Sequence, residues 1–152
     1  MYEILKIINE EIENFGTKIV DKNGQKLIMY QGRSKKGLTS LVQNGQGWFS
    51  RYRGVGVQFA DMIKHIALIN KDKEKELETI PNDELSGYVY SAYLNVYNPY
   101  YVDIKKTLWD RTKENDEINF AKQNGYDGVV ILANNEIKDV IVFSDYQIKR
   151  LN

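Results

Sequence analysis

The stretch GYDGVVILANNEIKDVIVFSDYQIKR, at residues 125–150, decides the fold. It contains two apolar runs, at 129–132 and 140–143, on either side of the asparagine pair at 134–135. Continuous apolar runs of this length are typical of strands that are buried on both faces. The asparagine pair favours a turn between them. The sequence therefore predicts a buried β-sheet in the C-terminal half of the chain.

The segments before this sheet add helices and another strand. Residues 105–124 end in a helical pattern, and Gly125 is placed to stop that helix. Residues 87–97 carry apolar or aromatic side chains on both alternating sides, which predicts a strand covered on both faces. Asn98-Pro99 then turns the chain. Val57 to Asn70 has the spacing of a buried helix.

The N-terminal part predicts a helix followed by a hairpin. Apolar residues at helical spacing predict the helix over residues 3–15. Two short β-type runs, at 18–20 and 27–30, flank Asn23-Gly24, a dipeptide that strongly favours a hairpin turn. The whole chain is therefore predicted to form a single α+β domain over residues 1–152.

The composition excludes several kinds of site. The chain has no cysteine, which excludes disulfides and thiol nucleophiles. Its single histidine, His65, disfavours a histidine-based zinc site and a Ser-His-Asp triad. No metal is expected. The 21 basic and 21 acidic side chains give a formal charge of zero, which disfavours nucleic-acid binding. No apolar run approaches the roughly 20 residues of a membrane span, so we expect a cytoplasmic protein without a membrane partner.

One region departs from this even charge. Between residues 33 and 53 the chain carries several bases and no acid, which predicts an anion-binding region, with a solvated basic loop as the alternative. The glycines nearby complete neither of the two phosphate-loop fingerprints. The bases are Arg33, Lys35, Lys36, Arg51 and Arg53.

Four stretches, taken in order, carry a family resemblance. They are Tyr30-Gln31-Gly32, Gly47-Trp48-Phe49-Ser50, YLNVYNPYYVD at 93–103, and GYDGVVI at 125–131 followed by DVIVFSDYQIK at 139–149. The ordered set resembles the ADP-ribosyltransferase superfamily, in particular the small domains of phage and mobile-element polyvalent proteins, over residues 27–152. The resemblance implies a split β-sheet core with flanking helices, to which the N-terminal helix and the hairpin are added.

The resemblance also implies an enzyme that uses NAD as its substrate and modifies a host macromolecule in the host cytosol. Cleavage of the bond between nicotinamide and ribose passes through an oxocarbenium-like centre, which a nearby carboxylate stabilises. By this resemblance, Asp139 stands at the position of the family's catalytic glutamate. Glu136 is the alternative carboxylate, or a second one that helps to select the acceptor.

Further roles follow from the same resemblance. Gln31 replaces the family's usual histidine and would bind a ribose of NAD. Gly32 would let the nicotinamide amide reach the backbone, and Ser50 would orient the carboxylate. Trp48 and Phe59 would sandwich the pyridinium ring.

Arg33 and Arg51 complete this set, since cationic side chains would hold the pyrophosphate of NAD. Two alternatives remain open because Gln31 and Asp139 differ from the family's usual residues. One is a catalytically decayed module that binds a partner protein through the region from Arg33 to Arg53, and the other is an NAD glycohydrolase with water as the acceptor. Without the resemblance, the aromatic residues are equally well explained as core residues, and Asp139 as an ordinary residue at the start of a strand.

Overall fold

The computed structural model describes residues 16–61, 74–104 and 111–152. The helix predicted over residues 3–15, the later part of the helix predicted from Val57, and His65 lie outside the described residues. The described strands are β1 (Met29–Arg33), β2 (Gly47–Ser50), β3 (Tyr88–Leu94), β4 (Pro99–Asp103), β5 (Gly128–Ala133), β6 (Glu136–Val142) and β7 (Ile148–Arg150). The described α-helices are α1 (Arg53–Ala60), α2 (Glu74–Thr79) and α3 (Arg111–Gln123).

These seven strands form one mixed sheet in the order β4-β5-β6-β2-β1-β3-β7. Neighbouring strands are antiparallel, except for β4 and β5, which are parallel. The predicted α+β class is confirmed. The prediction of a split core is wrong with respect to hydrogen bonding. Strands β2 and β1 pair with each other and so join the groups β4-β5-β6-β2 and β1-β3-β7 into one continuous sheet.

The junction between β1 and β2 is short. Tyr30 and Ser50 are the one register pair that these two strands share, whereas β1 pairs with β3 along its whole length. Next to this junction, the Nε2 atom of Gln31 donates to the carbonyl oxygen of Trp48 at 3.0 Å. A side-chain amide thus bridges the strands where their backbones diverge.

Apolar clusters cover both faces of the sheet. The largest one includes Met29, Phe49, Tyr90 and Val140. On the opposite face, Ile141 packs with residues of α3, and α1 packs against β3. Because alternate residues of a strand point to opposite faces, Phe49 enters the largest cluster while Trp48 and Ser50 point the other way.

Most of the predicted turns are confirmed, and their residues explain them. Gly24 closes the N-terminal hairpin with a φ of 78°. Asn134 and Asn135 connect β5 to β6 with φ values of 53° and 62°, and Gly125 follows α3 with a φ of 80°. Glycine and asparagine are the residues that adopt this left-handed region most readily, so the local sequence fixes these turns.

Strand β4 was missed by the sequence prediction, which has only a turn at Asn98-Pro99. The Asp127 side chain accepts hydrogen bonds from the backbone N–H groups of Tyr97 at 2.7 Å and Asn98 at 2.9 Å, which fixes this turn. Pro99 then begins β4 at the edge of the sheet, where a residue without an N–H group is tolerated. The strand forms because β5 lies beside it, and this non-local pairing has no signature in the local sequence.

Candidate functional site

A cavity of about 510 Å³ lies where β1 and β2 diverge. Its walls come from β1, β2, α1, β6, α3 and the loop over residues 34–46. The volume falls within the range of roughly 300–1,000 Å³ that is typical of ligand sites. The site residues that the resemblance implied line it, apart from Arg51 and Glu136; they are Gln31, Gly32, Arg33, Trp48, Ser50, Phe59 and Asp139.

Ser50 and Asp139 form a pair at this cavity. They lie directly opposite each other on the antiparallel strands β2 and β6, so their side chains point to the same face of the sheet. The Ser50 side chain acts on the Asp139 carboxyl group and lowers its pKa. Trp48 is paired with Ile141 in the same register and therefore shares that face.

The surroundings of Asp139 change its acidity. Burial raises the pKa of its carboxyl group above the usual value, and the positive charge of Lys138 and the polar side chain of Ser50 offset part of this increase. Burial disfavours the charged form because the interior solvates a charge less well than water does. The cavity therefore contains a carboxylate that releases its proton at a higher pH than an ordinary aspartate.

A β-bulge directs Asp139 into the cavity. On β6, Asp139 pairs with Ile131 and Ile137 pairs with Leu132, so Lys138 is the extra residue. Residues two apart in a regular strand share a face, yet Ile137 packs against the largest apolar cluster and Asp139 lines the cavity. The bulge thus allows one strand to serve the core and the site, as bulges near functional sites often do.

Gln31 is buried, and its amide is already engaged. Its Nε2 atom donates to the carbonyl oxygens of Leu41 and Trp48, both at 3.0 Å, and its Oε1 atom accepts from Nη1 of Arg33 at 3.1 Å. Both N–H groups are therefore used within the protein. The predicted contact with ribose depends on the remaining lone pair of Oε1, while the observed contacts hold the loop, β2 and Arg33 together.

Gly32 allows a close approach of the backbone of helix α1, whereas the sequence predicted an approach of the nicotinamide amide. A Cβ atom at this position would lie 1.7 Å from the carbonyl oxygen of Gly56 and 2.8 Å from the backbone nitrogen of Ala60. Helix α1 begins at Arg53, four residues before the predicted start at Val57, and so places Gly56 against β1. The missing side chain serves helix packing at the cavity wall, which the sequence prediction did not include.

Two aromatic side chains line the cavity from different elements. Trp48 is half-buried on β2, and its ring also packs against the cluster between α3 and β5. Phe59, near the end of α1, is 58% exposed. Phe59 is therefore not a core residue in the described part of the chain. Together the two residues offer aromatic surface to a flat ligand.

The predicted basic region is divided by the fold. Arg51 forms an ion pair with Glu136, with 3.3 Å between Nη1 and Oε2, and both line a second cavity of about 360 Å³. The guanidinium of Arg53 donates to the backbone carbonyls of Glu78 and Ile80. Of the five bases in this region, Arg33 is the one that lines the main cavity.

Several residues of the main cavity were missed by the sequence prediction. Glu114 lines it from the first turn of α3, and Leu41, Gln43 and Gln46 line it from the loop between β1 and β2. Helical spacing was recognised only in the second half of the segment that contains Glu114. No local signal marks the loop residues, because the approach of distant segments makes them part of the cavity.

No helix within residues 16–61, 74–104 and 111–152 is long and apolar enough to cross a membrane. Comparisons of the chain with known protein families, with curated proteins and with solved structures find no match. Function is therefore inferred from the cavity and the residues around it.

Proposed function

We propose that this protein is an NAD-dependent ADP-ribosyltransferase that modifies a macromolecule of a host cell. The observation that carries the proposal is the arrangement of Trp48, the Ser50–Asp139 pair and Arg33 around one cavity. These groups supply an aromatic surface, a carboxylate and a cation. NAD requires the same three kinds of group for its nicotinamide ring, its reacting ribose and its diphosphate. Because the sheet is continuous, the cavity rather than the sheet architecture supports the proposal.

The nicotinamide ring of NAD would occupy the part of the cavity between Trp48 and Phe59. This ring is flat and positively charged, and a cation over an aromatic face gains roughly 0.5–2 kcal/mol. The exposed position of Phe59 leaves its ring available for such a contact. Aromatic surface at this point would therefore favour the oxidised, cationic form of the dinucleotide.

Asp139 would stabilise the reacting carbon. The bond between C1′ of the ribose and N1 of nicotinamide breaks, and its electron pair leaves with nicotinamide, which becomes neutral. The positive charge then develops on the ribose, where a preorganised carboxylate in a water-poor site acts most strongly. A lone pair of the acceptor forms the new bond to C1′, and the acceptor releases its proton. Ser50, directly opposite on β2, would favour the ionised carboxylate, because its side chain lowers the pKa of Asp139.

Arg33 would bind the diphosphate. Among the described residues no carboxylate lies within 4 Å of its guanidinium, and its Nη1 atom donates to the uncharged Oε1 of Gln31. The guanidinium retains donors in a geometry that matches phosphate oxygens. The charge of Arg33 is therefore available to an anionic ligand at the cavity.

Transfer of label from NAD to host macromolecules tests the proposal. Purified protein is incubated with a host lysate and NAD that carries a radioactive adenylate phosphate. Asp139→Asn should lower the labelling by a factor on the order of 10²–10³, since it removes the charge but keeps the shape. The exposed Asp116 on α3 provides a matched control, and Asp116→Asn should label as the wild type does.

Other outcomes would assign a different function. Full labelling by Asp139→Asn together with loss in Glu136→Gln would move the catalytic carboxylate to Glu136. Accumulation of free ADP-ribose without any labelled acceptor would identify an NAD glycohydrolase. Calorimetry that detects no NAD binding at millimolar concentration, together with a stable complex in pull-downs, would identify a protein-binding module.

A further inference from the structure

The carboxylate of Asp145 lies outside the cavity and hydrogen-bonds to the loop that forms one of the cavity walls. The loop over residues 34–46 contributes Leu41 to the cavity. Asp145 lies in the short 3-10 helix Asp145–Gln147, before β7. Its Oδ1 atom accepts from the backbone nitrogen of Leu41 at 3.0 Å, and its other oxygen accepts from the hydroxyl of Ser40. Asp145 therefore fixes the loop at the point where the loop reaches the cavity.

The hydrogen bonds continue from this point towards Arg33. The carbonyl oxygen of Leu41 accepts from Nε2 of Gln31 at 3.0 Å, and Oε1 of Gln31 accepts from Nη1 of Arg33 at 3.1 Å. Leu41 and Gln31 are both buried, with 1% and 7% of their surface exposed. Buried hydrogen bonds of this kind leave few alternative partners. The position of the Arg33 guanidinium is thus connected to Asp145 through two buried residues.

The segment that carries Asp145 is itself firmly held. Ser144 and Gln147 form a reciprocal capping box around the 3-10 helix. Nε2 of Gln147 also donates to the carbonyl oxygens of Asp127 at 2.6 Å and Asn95 at 3.2 Å. Asp145 therefore acts on the loop from a fixed position rather than following it.

We infer that Asp145 is a positioning residue for an anion site at Arg33. It binds no ligand itself, but it sets the position of Leu41, which orients the Gln31 amide, which in turn orients the guanidinium. The identity of the anion as the diphosphate of NAD rests on the proposed function. The positioning of Arg33 by Asp145 rests only on the hydrogen bonds described above.

Other contacts keep the loop folded when Asp145 is removed. The hydroxyl of Tyr90 accepts from the backbone nitrogen of Leu38 and donates to the carbonyl oxygen of Lys35. Nη1 of Arg150 donates to the carbonyl oxygen of Leu38 at 2.6 Å. Substitution of Asp145 should therefore loosen the segment around Leu41 without releasing the whole loop.

Ligand binding gives the first test, with ADP-ribose as the probe in calorimetry. Asp145→Ala should weaken binding by about tenfold, and it should raise KM for NAD while kcat stays within about twofold. Asp145→Asn should lose less affinity, because its Oδ1 atom can still accept from the backbone nitrogen of Leu41. In the Arg33→Gln background, Asp145→Ala should have no further effect on affinity, because the two residues act as one unit. Additive effects would overturn the inference.

A measurement without ligand separates this inference from the proposed function. The side-chain amide resonances of Gln31 should shift in the NMR spectrum of Asp145→Ala and stay in place in Asp116→Asn. Unchanged Gln31 resonances in Asp145→Ala would overturn the inference, whether or not NAD binds. Shifted resonances in a protein that binds no ADP-ribose would support the positioning of Arg33 and contradict the proposed function.

Discussion

Ser50 and Asp139 face each other across β2 and β6 at the main cavity, and the Ser50 side chain lowers the pKa of the Asp139 carboxyl group. Burial raises the pKa of this carboxyl group, and the neighbouring charge of Lys138 lowers it again in part. The acidity of Asp139 is therefore set by three local causes, and each of them can be altered separately.

We expect the proposed transferase activity to fall in acid with a midpoint above the pKa of an ordinary aspartate. In the proposed mechanism only the ionised carboxylate would stabilise the ribosyl cation, and burial shifts its protonation to higher pH. Lys138→Gln removes a charge that favours ionisation, so the acid limb of kcat/KM should move to still higher pH. Because Lys138 is exposed, the movement should be largest at low ionic strength.

Lys149→Gln is the matched control for this measurement, since Lys149 is an exposed lysine on β7. Its pH profile should coincide with that of the wild type. The same acid limb in Lys138→Gln and in the wild type would contradict the assignment of Asp139 as the titrating group.

Asp139→Asn should stabilise the protein at neutral pH. The pKa of Asp139 is raised in the folded state, so the neutral form is favoured there. The protonated Asp139 side chain stabilises the folded state fully at a pH below its pKa in the unfolded chain. This stabilisation is lost as the pH rises through its pKa in the folded protein. Asparagine stays neutral and avoids this loss, so its melting temperature should exceed that of the wild type at pH 7. Calorimetric scans from pH 3 to pH 7 should show the difference shrinking towards acid, and an equal difference at every pH would contradict this explanation.

Phe59→Ala should weaken NAD binding while changing stability little. Phe59 is 58% exposed, so its removal should alter the free energy of unfolding by no more than about 0.5 kcal/mol. Loss of a contact with the pyridinium ring should reduce the affinity for NAD between about twofold and thirtyfold. Phe120, which is 47% exposed on α3 and lies outside the cavity, provides the control. Equal affinities of both variants, measured by calorimetry, would place the nicotinamide ring elsewhere.

Gly32→Ala should destabilise the fold strongly. The new methyl carbon would lie 1.7 Å from the carbonyl oxygen of Gly56, so α1 must move away from β1 at a cost of roughly 3 kcal/mol or more. Gly24→Ala is the comparison, because Gly24 has open space around it and only the strain of its φ of 78°. That strain costs about 1–2 kcal/mol. Urea unfolding should rank the two variants in this order, and the reverse order would contradict the close packing of α1 on β1.

The sequence predicted the structure correctly where a local pattern is compatible with one backbone conformation. Gly24, Gly125 and the asparagine pair at 134–135 form the predicted turns, because other residues adopt positive φ less readily. The apolar run at 129–132 lies in β5, and residues 140–142 of the second run are the buried end of β6, which stops one residue before the predicted end at Phe143. The resemblance named seven of the residues that line the main cavity, and their roles in binding NAD stay predictions.

Other features depended on residues that are distant in the chain. Arg51 and Arg53 were grouped with Arg33 by sequence. In the structure, Arg51 forms an ion pair with Glu136, and Arg53 donates to two backbone carbonyls, so both lie away from the main cavity. Gln31 was assigned to a ribose, whereas Leu41, Trp48 and Arg33 occupy most of its hydrogen-bonding capacity. A local pattern carries no information on which distant group satisfies a buried amide.

The sequence by itself determined the α+β class and the turns, because these follow from backbone preferences and from the alternation of side chains along a strand. The tertiary structure alone decided the cavity: the single register pair between β1 and β2, the bulge at Lys138, and the packing of α1 on Gly32. Each of these depends on the fit between segments that are far apart in the chain, and packing energy rather than local preference selects that fit.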